Sequence, residues 1–310
     1  MRIARIQRIG FLSVTLIALG AVTVRAMDTI PDQYKTSGFA VGCQAWSFNN
    51  FTVFEAIRLT HEAGGKIIEF FPGQALSPEM RNVKFDHNAS DDVIAQVKEE
   101  CRKYEVLPVN YGVVTPGGRS AEARKAEWRK IFAFAKKLDL YGVTSEPAAQ
   151  DMDTIESLVK EFDIHFCIHD HPKRTRDPNY KFWDPNYVLS LVKDRDPRMG
   201  SCADTGHWLA SGVDPIEAIH ILKGRVMSSH LKDRNRAGED RGVHDVAWGS
   251  GVGECKQILD ELKAQGFAGN IDIEFESDMG PNAEKTAPKS FPQIKASIDW
   301  IKSLGASASR

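Results

Sequence analysis

Residues 225–276 hold the pattern that decides the fold: RVMSSHL at 225–231, ECKQILDELKAQG at 254–266 and NIDIEFE at 270–276. The outer two runs are short and rich in apolar residues, as buried strands are, whereas the middle run places its apolar residues at helical spacing. A strand, a helix and a further strand in this order predict a unit with two parallel strands.

The same alternation extends over the chain from residue 39, with eight strand-like runs between helical patterns. Several helices begin at a cap, as at Ser90, Ser120 and Asp214, and the last is expected to end at Gly305. Strict alternation predicts an α/β fold, a single-domain (β/α)8 TIM barrel over residues 39–310 after an N-terminal extension at 27–38. The predicted strands are 39–46, 66–71, 106–113, 140–146, 163–171, 198–204, 225–231 and 270–276, and the predicted helices are 52–64, 90–104, 120–138, 153–162, 185–194, 214–224, 254–266 and 289–305.

An open doubly wound sheet is the alternative architecture, but no glycine-rich phosphate turn follows the first predicted strand. GSGVGE at 249–254 has such a composition, but no strand stands directly before it, so we interpret it as a flexible loop. It belongs to one of two long loops, 172–184 and 232–253. Loops of this length on a barrel usually carry function.

The first 26 residues differ in character from the rest. Three arginines precede an uncharged, largely apolar stretch at 9–24, and Ala26 supplies the small residue at which signal peptidases cut. The stretch is shorter than the ~20 apolar residues that normally span a bilayer, although an uncleaved anchor is the rival interpretation. We therefore expect a signal peptide over 1–26, a periplasmic or secreted protein, and no stable membrane association after cleavage.

Charge limits the classes of partner. Loss of the four arginines in the signal segment changes the formal net charge from −2 to −6. Binding to a phosphate backbone needs a surplus of Lys and Arg, so we expect no nucleic-acid partner. The sequence leaves the oligomeric state open, with a homo-oligomer as one possibility.

The five cysteines show no CxxC spacing. A chain of this length buries enough apolar surface without disulfides, so buried free thiols are expected. Cys167 and Cys202 fall on neighbouring predicted strands, which leaves one disulfide open.

Four polar residues stand where predicted strands end, and strand ends converge on one face of a parallel barrel. Three carboxylates and one imidazole suit Mn²⁺, Mg²⁺, Co²⁺ or Zn²⁺, and the set is too poor in nitrogen and sulfur for a closed structural zinc site. The sequence therefore predicts one divalent-metal site with room for two adjacent oxygens of a hydroxy-ketone. The predicted ligands are Glu146, Asp204, His230 and Glu274.

Alternation along the strands adds candidates for substrate contacts. His169 and His171 share a face of the fifth predicted strand, and Lys232 shares a face with the predicted histidine ligand of the seventh. Charged groups do not fit a packed interior, so these side chains should emerge at the rim. Glu69 is a candidate for binding substrate hydroxyls, with a simple rim charge as the alternative. Trp248 is a candidate for stacking on a sugar, with a packing anchor as the equal alternative.

From about residue 39 to 304 the chain resembles the xylose isomerase-like barrels, a sugar phosphate isomerase/epimerase superfamily that includes inosose dehydratases, ketose 3-epimerases and endonuclease IV. This family places its metal ligands as Glu, Asp, His and Glu on strands four, six, seven and eight, in the order found here. The D-x-x-H of its sixth strand matches Asp204-Thr-Gly-His207, and Arg236 follows the metal-binding histidine by six residues. The resemblance implies that His207 and Arg236 hold the substrate.

Two features bear on the identity of the substrate. Met152 stands where ketose 3-epimerases carry a further substrate-binding glutamate, and HDHP at 169–172 resembles the HNHP of exported family members. Export also makes a phosphorylated sugar less expected than a free sugar or a glycoside. We therefore expect a small, unphosphorylated carbohydrate.

The predicted activity is metal-dependent isomerisation or epimerisation of a sugar through an enediolate, formed by proton abstraction next to a carbonyl. Glu146 and Glu274 would lie on opposite sides of the substrate, one removing the proton and the other returning it, while Lys232 and His171 would stabilise an oxyanion or protonate a leaving group. A lyase or dehydratase acting on oxidised sugars such as 3-keto-glycosides is the alternative. An AP endonuclease-like or non-catalytic sugar-binding barrel is less favoured, because endonuclease IV needs more metal ligands and a basic surface.

Overall fold

Eight parallel strands close into a barrel in the computed structural model, which describes residues 29–238, 242–276 and 290–307. Each strand pairs in parallel with the next in chain order, and the last pairs with the first through Asn270 beside Ala40 and Ile273 beside Cys43. The predicted TIM barrel is confirmed. The strands are β1 (Phe39–Gln44), β2 (Ile67–Phe70), β3 (Leu107–Tyr111), β4 (Gly142–Ser145), β5 (His165–His169), β6 (Met199–Asp204), β7 (Val226–His230) and β8 (Asn270–Ile273).

Helices surround the barrel, and several begin at capping residues that the sequence predicts. The Thr52 and Glu55 side chains form a reciprocal capping box, and Ser90, Ser120 and Asp214 each accept a backbone N–H of the helix they precede. Within the described ranges the helices are α1 (Val53–Ala63), α2 (Asp91–Lys103), α3 (Ala121–Lys137), α4 (Met152–Phe162), α5 (Pro185–Val192), α6 (Thr205–Ser211), α7 (Pro215–Ile221), α8 (Cys255–Ala264) and α9 (Phe291–Ser307).

Two of these helices differ from the prediction. α6 was not predicted and begins directly after β6, with Asp204 as its cap. α9 continues past Gly305, where the sequence indicated an end. A Cβ at Gly305 would lie 2.5 Å from Ser37 Oγ, so this glycine permits close packing of α9 on the N-terminal extension instead of ending the helix.

The N-terminal extension and two loops carry short strands. Lys35–Thr36 pairs antiparallel with β1, and Gln74–Ala75 pairs with Lys84–Phe85. In the predicted functional loop after β7, Asp233–Arg234 pairs with Asp245–Val246. The remaining short elements are 3-10 helices at Asp32–Tyr34, Ala45–Phe48 and Ala149–Asp151.

The glycine-rich run at 249–254 has a defined shape that depends on one carboxylate. The backbone N–H groups of Gly249 and Gly251 donate to Asp233 Oδ2 at 2.9 Å, and that of Gly253 donates to Oδ1 at 2.8 Å. The run is a loop, as predicted, but three hydrogen bonds fold it around a buried side chain instead of leaving it flexible.

All five cysteines are free and buried, as expected, so the possible bridge between Cys167 and Cys202 is absent from the structure. These two thiols lie in the barrel with Met227. The predicted signal peptide lies outside the described residues. Among the residues that the structure describes, no helix has the length and apolar character needed to cross a bilayer.

Candidate metal centre

His169, Asp204, His230 and Glu274 meet in a buried cluster at the carboxyl end of the barrel strands. One potential ligand atom of each lies within 4.8 Å of the others. His230 Nδ1 is 3.2 Å from His169 Nε2, 3.3 Å from Glu274 Oε2 and 3.8 Å from Asp204 Oδ2. Three of the four predicted ligands are therefore together, joined by His169, which the sequence indicated only as a substrate contact.

Asp204 has two functions at the end of β6. Its Oδ1 accepts the backbone N–H of His207 at 2.9 Å and so caps α6. Its Oδ2 faces the cluster, 3.7 Å from His169 Nε2 and 3.5 Å from His207 Nε2. The cap fixes the carboxylate, and with it the predicted substrate-binding histidine, at the edge of the site.

Lys232 extends its ammonium group into the same cluster. Its Nζ lies 2.9 Å from Asp204 Oδ2 and 2.8 Å from both Glu274 Oε2 and Glu276 Oε2, and its side chain is 1% exposed. A Cβ at Gly206 would lie 2.6 Å from Lys232 Cβ, so a glycine is needed there to admit the lysine stem. The lysine predicted to act at the rim is thus a buried cation between carboxylates.

These charges set the ionisation of the cluster. Burial raises the pKa of a carboxyl group, but His207 and Lys232 outweigh it at Asp204, and Lys232 and His230 outweigh it at Glu274, so both pKa values lie well below the usual range. Burial by itself would lower the pKa of Lys232, yet the neighbouring carboxylates raise it well above its ordinary value. The site therefore holds ionised carboxylates around a positive charge.

The cluster fits a divalent cation. Carboxylate oxygen and imidazole nitrogen are ligands that Mn²⁺, Co²⁺ and Zn²⁺ accept, while Mg²⁺ prefers the oxygens. The carboxylate oxygens that face inward already balance one cation, the Lys232 ammonium group. His169 Nδ1 is buried and has no hydrogen-bond partner among the described residues. The donor set agrees with the predicted divalent-metal site.

Glu146 occupies a second group beside the cluster. Its Oε1 lies 2.6 Å from His171 Nδ1 and accepts a short hydrogen bond from the Tyr180 hydroxyl, while Oε2 is 3.8 Å from Arg174 Nη2. Ligand-type atoms of Glu146, His171 and His169 lie within 4.8 Å of one another, so His169 belongs to both groups. The structure thus places Glu146 next to the other predicted ligands instead of among them, and its role as a ligand stays a prediction.

The environment of Glu146 favours its ionised form. Burial raises the pKa of this carboxyl, but hydrogen bonding and charge from His171 and the Tyr180 hydrogen bond lower it below its ordinary value. The pKa of Tyr180 is raised by burial and by the neighbouring Glu146 charge, so the phenol keeps its proton and donates it. An ionised carboxylate at the mouth of a barrel is suited to accept a proton from carbon.

Two predicted substrate contacts have other positions in the structure. Trp248 is 2% exposed, donates from Nε1 to the Leu231 carbonyl at 2.9 Å and packs edge-on against Trp300, so the packing alternative is correct. Glu69 is fully buried, with Oε2 3.2 Å from His230 Nε2 on the opposite side of the barrel. Neither side chain presents a surface to a substrate, because one packs outside β7 and the other lies below the cluster.

His171, His207 and Arg236 lie at or near the opening. The rings of His171 and His207 are stacked with centroids 5.3 Å apart, and the His171 side chain is 39% exposed. Arg236 is exposed in the loop after β7. The two imidazoles are thus placed to contact a bound ligand, and the substrate contact of Arg236 stays a prediction.

Sequence reasoning missed Tyr180 and gave Glu276 no separate role. Tyr180 lies in the long loop after β5, 8% exposed, and contacts Glu146 across 34 residues. The length of that loop was the available signal, but it could not identify the residue. Glu276 shares the alternation of β8 with Glu274, and this periodicity was visible.

With this geometry established, comparison with known proteins identifies the family. Residues 57–304 match the model of the xylose isomerase-like TIM barrel family. The chain belongs to this family. The resemblance found in the sequence is therefore confirmed over most of its length.

Solved structures agree with the family assignment. An uncharacterised protein from Parabacteroides distasonis is 32% identical with a TM-score of 0.65, over 86% of this chain and 99% of that one. A D-tagatose 3-epimerase-like protein is 18% identical, with a TM-score of 0.62 over 87% and 99% of the two chains. A sugar phosphate isomerase/epimerase from P. distasonis is 16% identical, with a TM-score of 0.61 over 91% and 99%. The last two likenesses show the fold alone, and no curated protein matches the sequence.

Proposed function

We propose that the protein is a divalent-metal-dependent sugar isomerase or epimerase that acts on a small, unphosphorylated carbohydrate after export. The observation that carries this proposal is the buried meeting of His169, Asp204, His230 and Glu274 at the barrel mouth, with the Glu146 carboxyl group beside it. Family membership supports the same class of reaction. Export rests on the N-terminal sequence alone.

Four residues would hold the metal ion: His169, Asp204, His230 and Glu274. A divalent cation bound there would polarise a carbonyl and its neighbouring hydroxyl, and so acidify the carbon between them.

The chain's own carboxylates would move the proton. Glu146, held by His171 and Tyr180, would remove a proton from that carbon and keep it. Glu274 is itself ionised, so it would return to carbon a proton that it first receives from the Lys232 ammonium group, 2.8 Å away. Exchange with water would then reprotonate Lys232 and deprotonate Glu146. Return to the opposite face of the same carbon gives an epimer, and return to the neighbouring carbon gives an isomer. The Lys232 ammonium group would stabilise the developing oxyanion.

A second candidate, a lyase acting on 3-keto-glycosides, is favoured by a groove next to Glu146. The loop after β5 borders a cavity of about 470 Å³ whose lining includes Arg174, Tyr180 and Trp183. Tyr180 also contacts Glu146, so one residue of the cavity lining touches the proposed base. A free monosaccharide would leave this space unused, whereas the aglycone of a glycoside would fill it and depart after proton abstraction.

The test is incubation of the metal-loaded full-length protein with ketoses and with 3-keto-glycosides in D₂O, followed by removal of the metal and NMR. Deuterium at the carbon next to the carbonyl without cleavage supports the epimerase or isomerase, and a released aglycone supports the lyase. Failure to incorporate deuterium or cleave any member of a broad panel would overturn the proposal.

A substitution at Glu274 sharpens this test. Glu274→Gln should lower the rate by about 10²- to 10⁴-fold, because it removes a proton-transferring carboxylate and a metal ligand. Glu161→Gln, on the surface of α4 and paired only with Arg129, is the matched control and should keep the wild-type rate. Wild-type turnover by Glu274→Gln would exclude Glu274 from the chemistry.

A further inference from the structure

We infer that Glu69 is a positioning residue: it accepts a hydrogen bond from His230 Nε2 beneath the metal cluster and so keeps His230 Nδ1 directed at the cation. This inference rests on the metal site of the proposed function. It replaces the substrate contact that the sequence suggested for Glu69.

The two side chains meet across the interior of the barrel. Glu69 is on β2 and His230 on β7, which are not neighbouring strands, so both side chains point inward. Glu69 Oε2 lies 3.2 Å from His230 Nε2, and neither side chain is exposed at all. A substrate entering from the rim would meet the cluster before it could reach Glu69.

The two nitrogens of the His230 ring face different groups. Nδ1 faces His169, Asp204 and Glu274, whereas Nε2 faces Glu69. A neutral imidazole has one N–H and one lone pair, and the hydrogen bond at one nitrogen determines which is which. A carboxylate at Nε2 retains the proton there and leaves the Nδ1 lone pair for a metal ion.

The surroundings of Glu69 make this hydrogen bond energetically important. Ligand-type atoms of Glu69, Asp272 and His230 lie within 4.8 Å of one another, and all three residues are fully buried. Glu69 Oε1 has no hydrogen-bond partner among the described residues, so the carboxylate depends on the contact of its Oε2 with His230. Burying a carboxylate without a donor is costly.

Loss of such a carboxylate partner typically weakens metal affinity about 10- to 100-fold. The variant that tests this is Glu69→Met, which keeps the length of the side chain but has no acceptor. Glu69→Gln keeps a neutral acceptor. Thr144→Val is the matched control, since Thr144 is equally buried in the barrel wall but contacts Asn110 instead of His230.

Two measurements separate this inference from the proposed function. The first is Zn²⁺ affinity by calorimetry, which needs no substrate: Glu69→Met should weaken it about 10- to 100-fold, and Thr144→Val should stay within about twofold. The second is NMR of the metal-free protein labelled with ¹⁵N-histidine, with His230→Gln used to assign the signal. The Nε2–H proton of His230 should exchange slowly with water in the wild type and rapidly in Glu69→Met.

Wild-type affinity together with an unchanged, protected Nε2–H signal in Glu69→Met would overturn the inference. If circular dichroism shows that Glu69→Met does not fold, Glu69→Gln provides the test. An amide oxygen accepts a hydrogen bond more weakly than a carboxylate, so the His230 Nε2–H signal should move upfield. An unmoved signal would overturn the inference. A wild-type protein that binds no divalent metal would sink the proposed function, while the proton signal would still report whether Glu69 holds His230.

Discussion

At the scale of single residues, Lys232 is the side chain that most directly opposes a metal ion. Its ammonium group lies within 2.9 Å of Asp204 and Glu274, on the oxygens that face the cluster. A bound cation must share or displace this charge. In the proposed function, Lys232 would therefore weaken metal affinity while supplying a positive charge to the reaction.

We predict that Lys232→Met binds Mn²⁺ or Zn²⁺ more tightly by roughly tenfold or more, about 1.4 kcal/mol, and turns over more slowly. Calorimetry gives the affinity and the D₂O assay gives the rate. Lys256→Met, exposed on α8 and paired with Asp260, controls for the loss of a lysine. Weaker binding by Lys232→Met would show that the ammonium group supports the ion instead of competing with it.

Tyr180 determines the position of Glu146. A hydrogen bond to a charged group contributes about 1.5–3 kcal/mol, so Tyr180→Phe should slow deuterium incorporation by about tenfold or more. Metal affinity should not change, because the phenol contacts Glu146 and not the cluster of His169, Asp204, His230 and Glu274.

The matched control for this prediction is Tyr187→Phe on the adjacent α5. It should keep both the exchange rate and the affinity. Equal exchange rates for Tyr180→Phe and the wild type would remove Tyr180 from the mechanism, and a loss of metal affinity would indicate that Glu146 is a ligand, as the sequence predicted.

The residues of the site differ in how far sequence alone could place them. Asp204, His230 and Glu274 were predictable because each lies at or just beyond the end of a barrel strand, where the fold forces side chains to converge. Glu146 also lies just beyond a strand, but the loop containing Tyr180 turns its carboxylate to one side. That rotation depends on loop geometry, which periodicity does not encode.

At the scale of secondary structure elements, alternating periodicities identified every barrel strand but overestimated the length of each. β1 was expected to reach residue 46, yet Ala45–Phe48 forms a 3-10 helix with the Gln44 side chain as its cap. α6 escaped prediction because it has seven residues and includes Gly206, too few for a helical period to show. Long elements with a clear apolar period were therefore predictable, whereas these two short elements, each capped by the last residue of a strand, were not.

Trp248 links two elements and gives a prediction about stability. It is buried between the loop after β7 and α9, with its backbone N–H on Ser297 Oγ at 3.0 Å. Trp248→Ala should lower the free energy of unfolding by about 3–5 kcal/mol, since it leaves a cavity and removes the hydrogen bond from Nε1 to the Leu231 carbonyl.

Urea unfolding measures this change. Trp183→Ala in the half-buried groove is the control and should cost less stability, because its ring is partly exposed. A small loss at Trp248 combined with a large loss of substrate affinity would restore the stacking role that the sequence left open.

At the scale of the whole molecule, a bound metal should add stability by mass action. At a free ion concentration of 100 times the Kd, the free energy of unfolding should rise by about 2.7 kcal/mol. Because Lys232 already compensates the buried carboxylates, EDTA should return the protein to its basal stability without unfolding it. Thermal or urea unfolding with and without EDTA tests this, and collapse of the fold in EDTA would contradict it.

The closed barrel was the most predictable feature at this scale, since strict alternation of strands and helices leaves few other topologies. The shape of the glycine run at 249–254 was less predictable, because it depends on Asp233, which lies in the first strand of the preceding hairpin. The chain must fold back on itself before the run can reach this carboxylate. Export stays a prediction that rests on residues 1–26.

The position of Lys232 among carboxylates also affects the order in which the protein folds and binds a metal ion. The Lys232 ammonium group is part of the chain and is present throughout folding, whereas a metal ion must bind from solution. The barrel can therefore fold before a metal ion binds. For an exported protein, as we propose, a metal ion that binds after export would come from the supply outside the inner membrane and not from the cell interior. The identity of the bound metal would then depend on the metal content of the compartment as well as on the ligands.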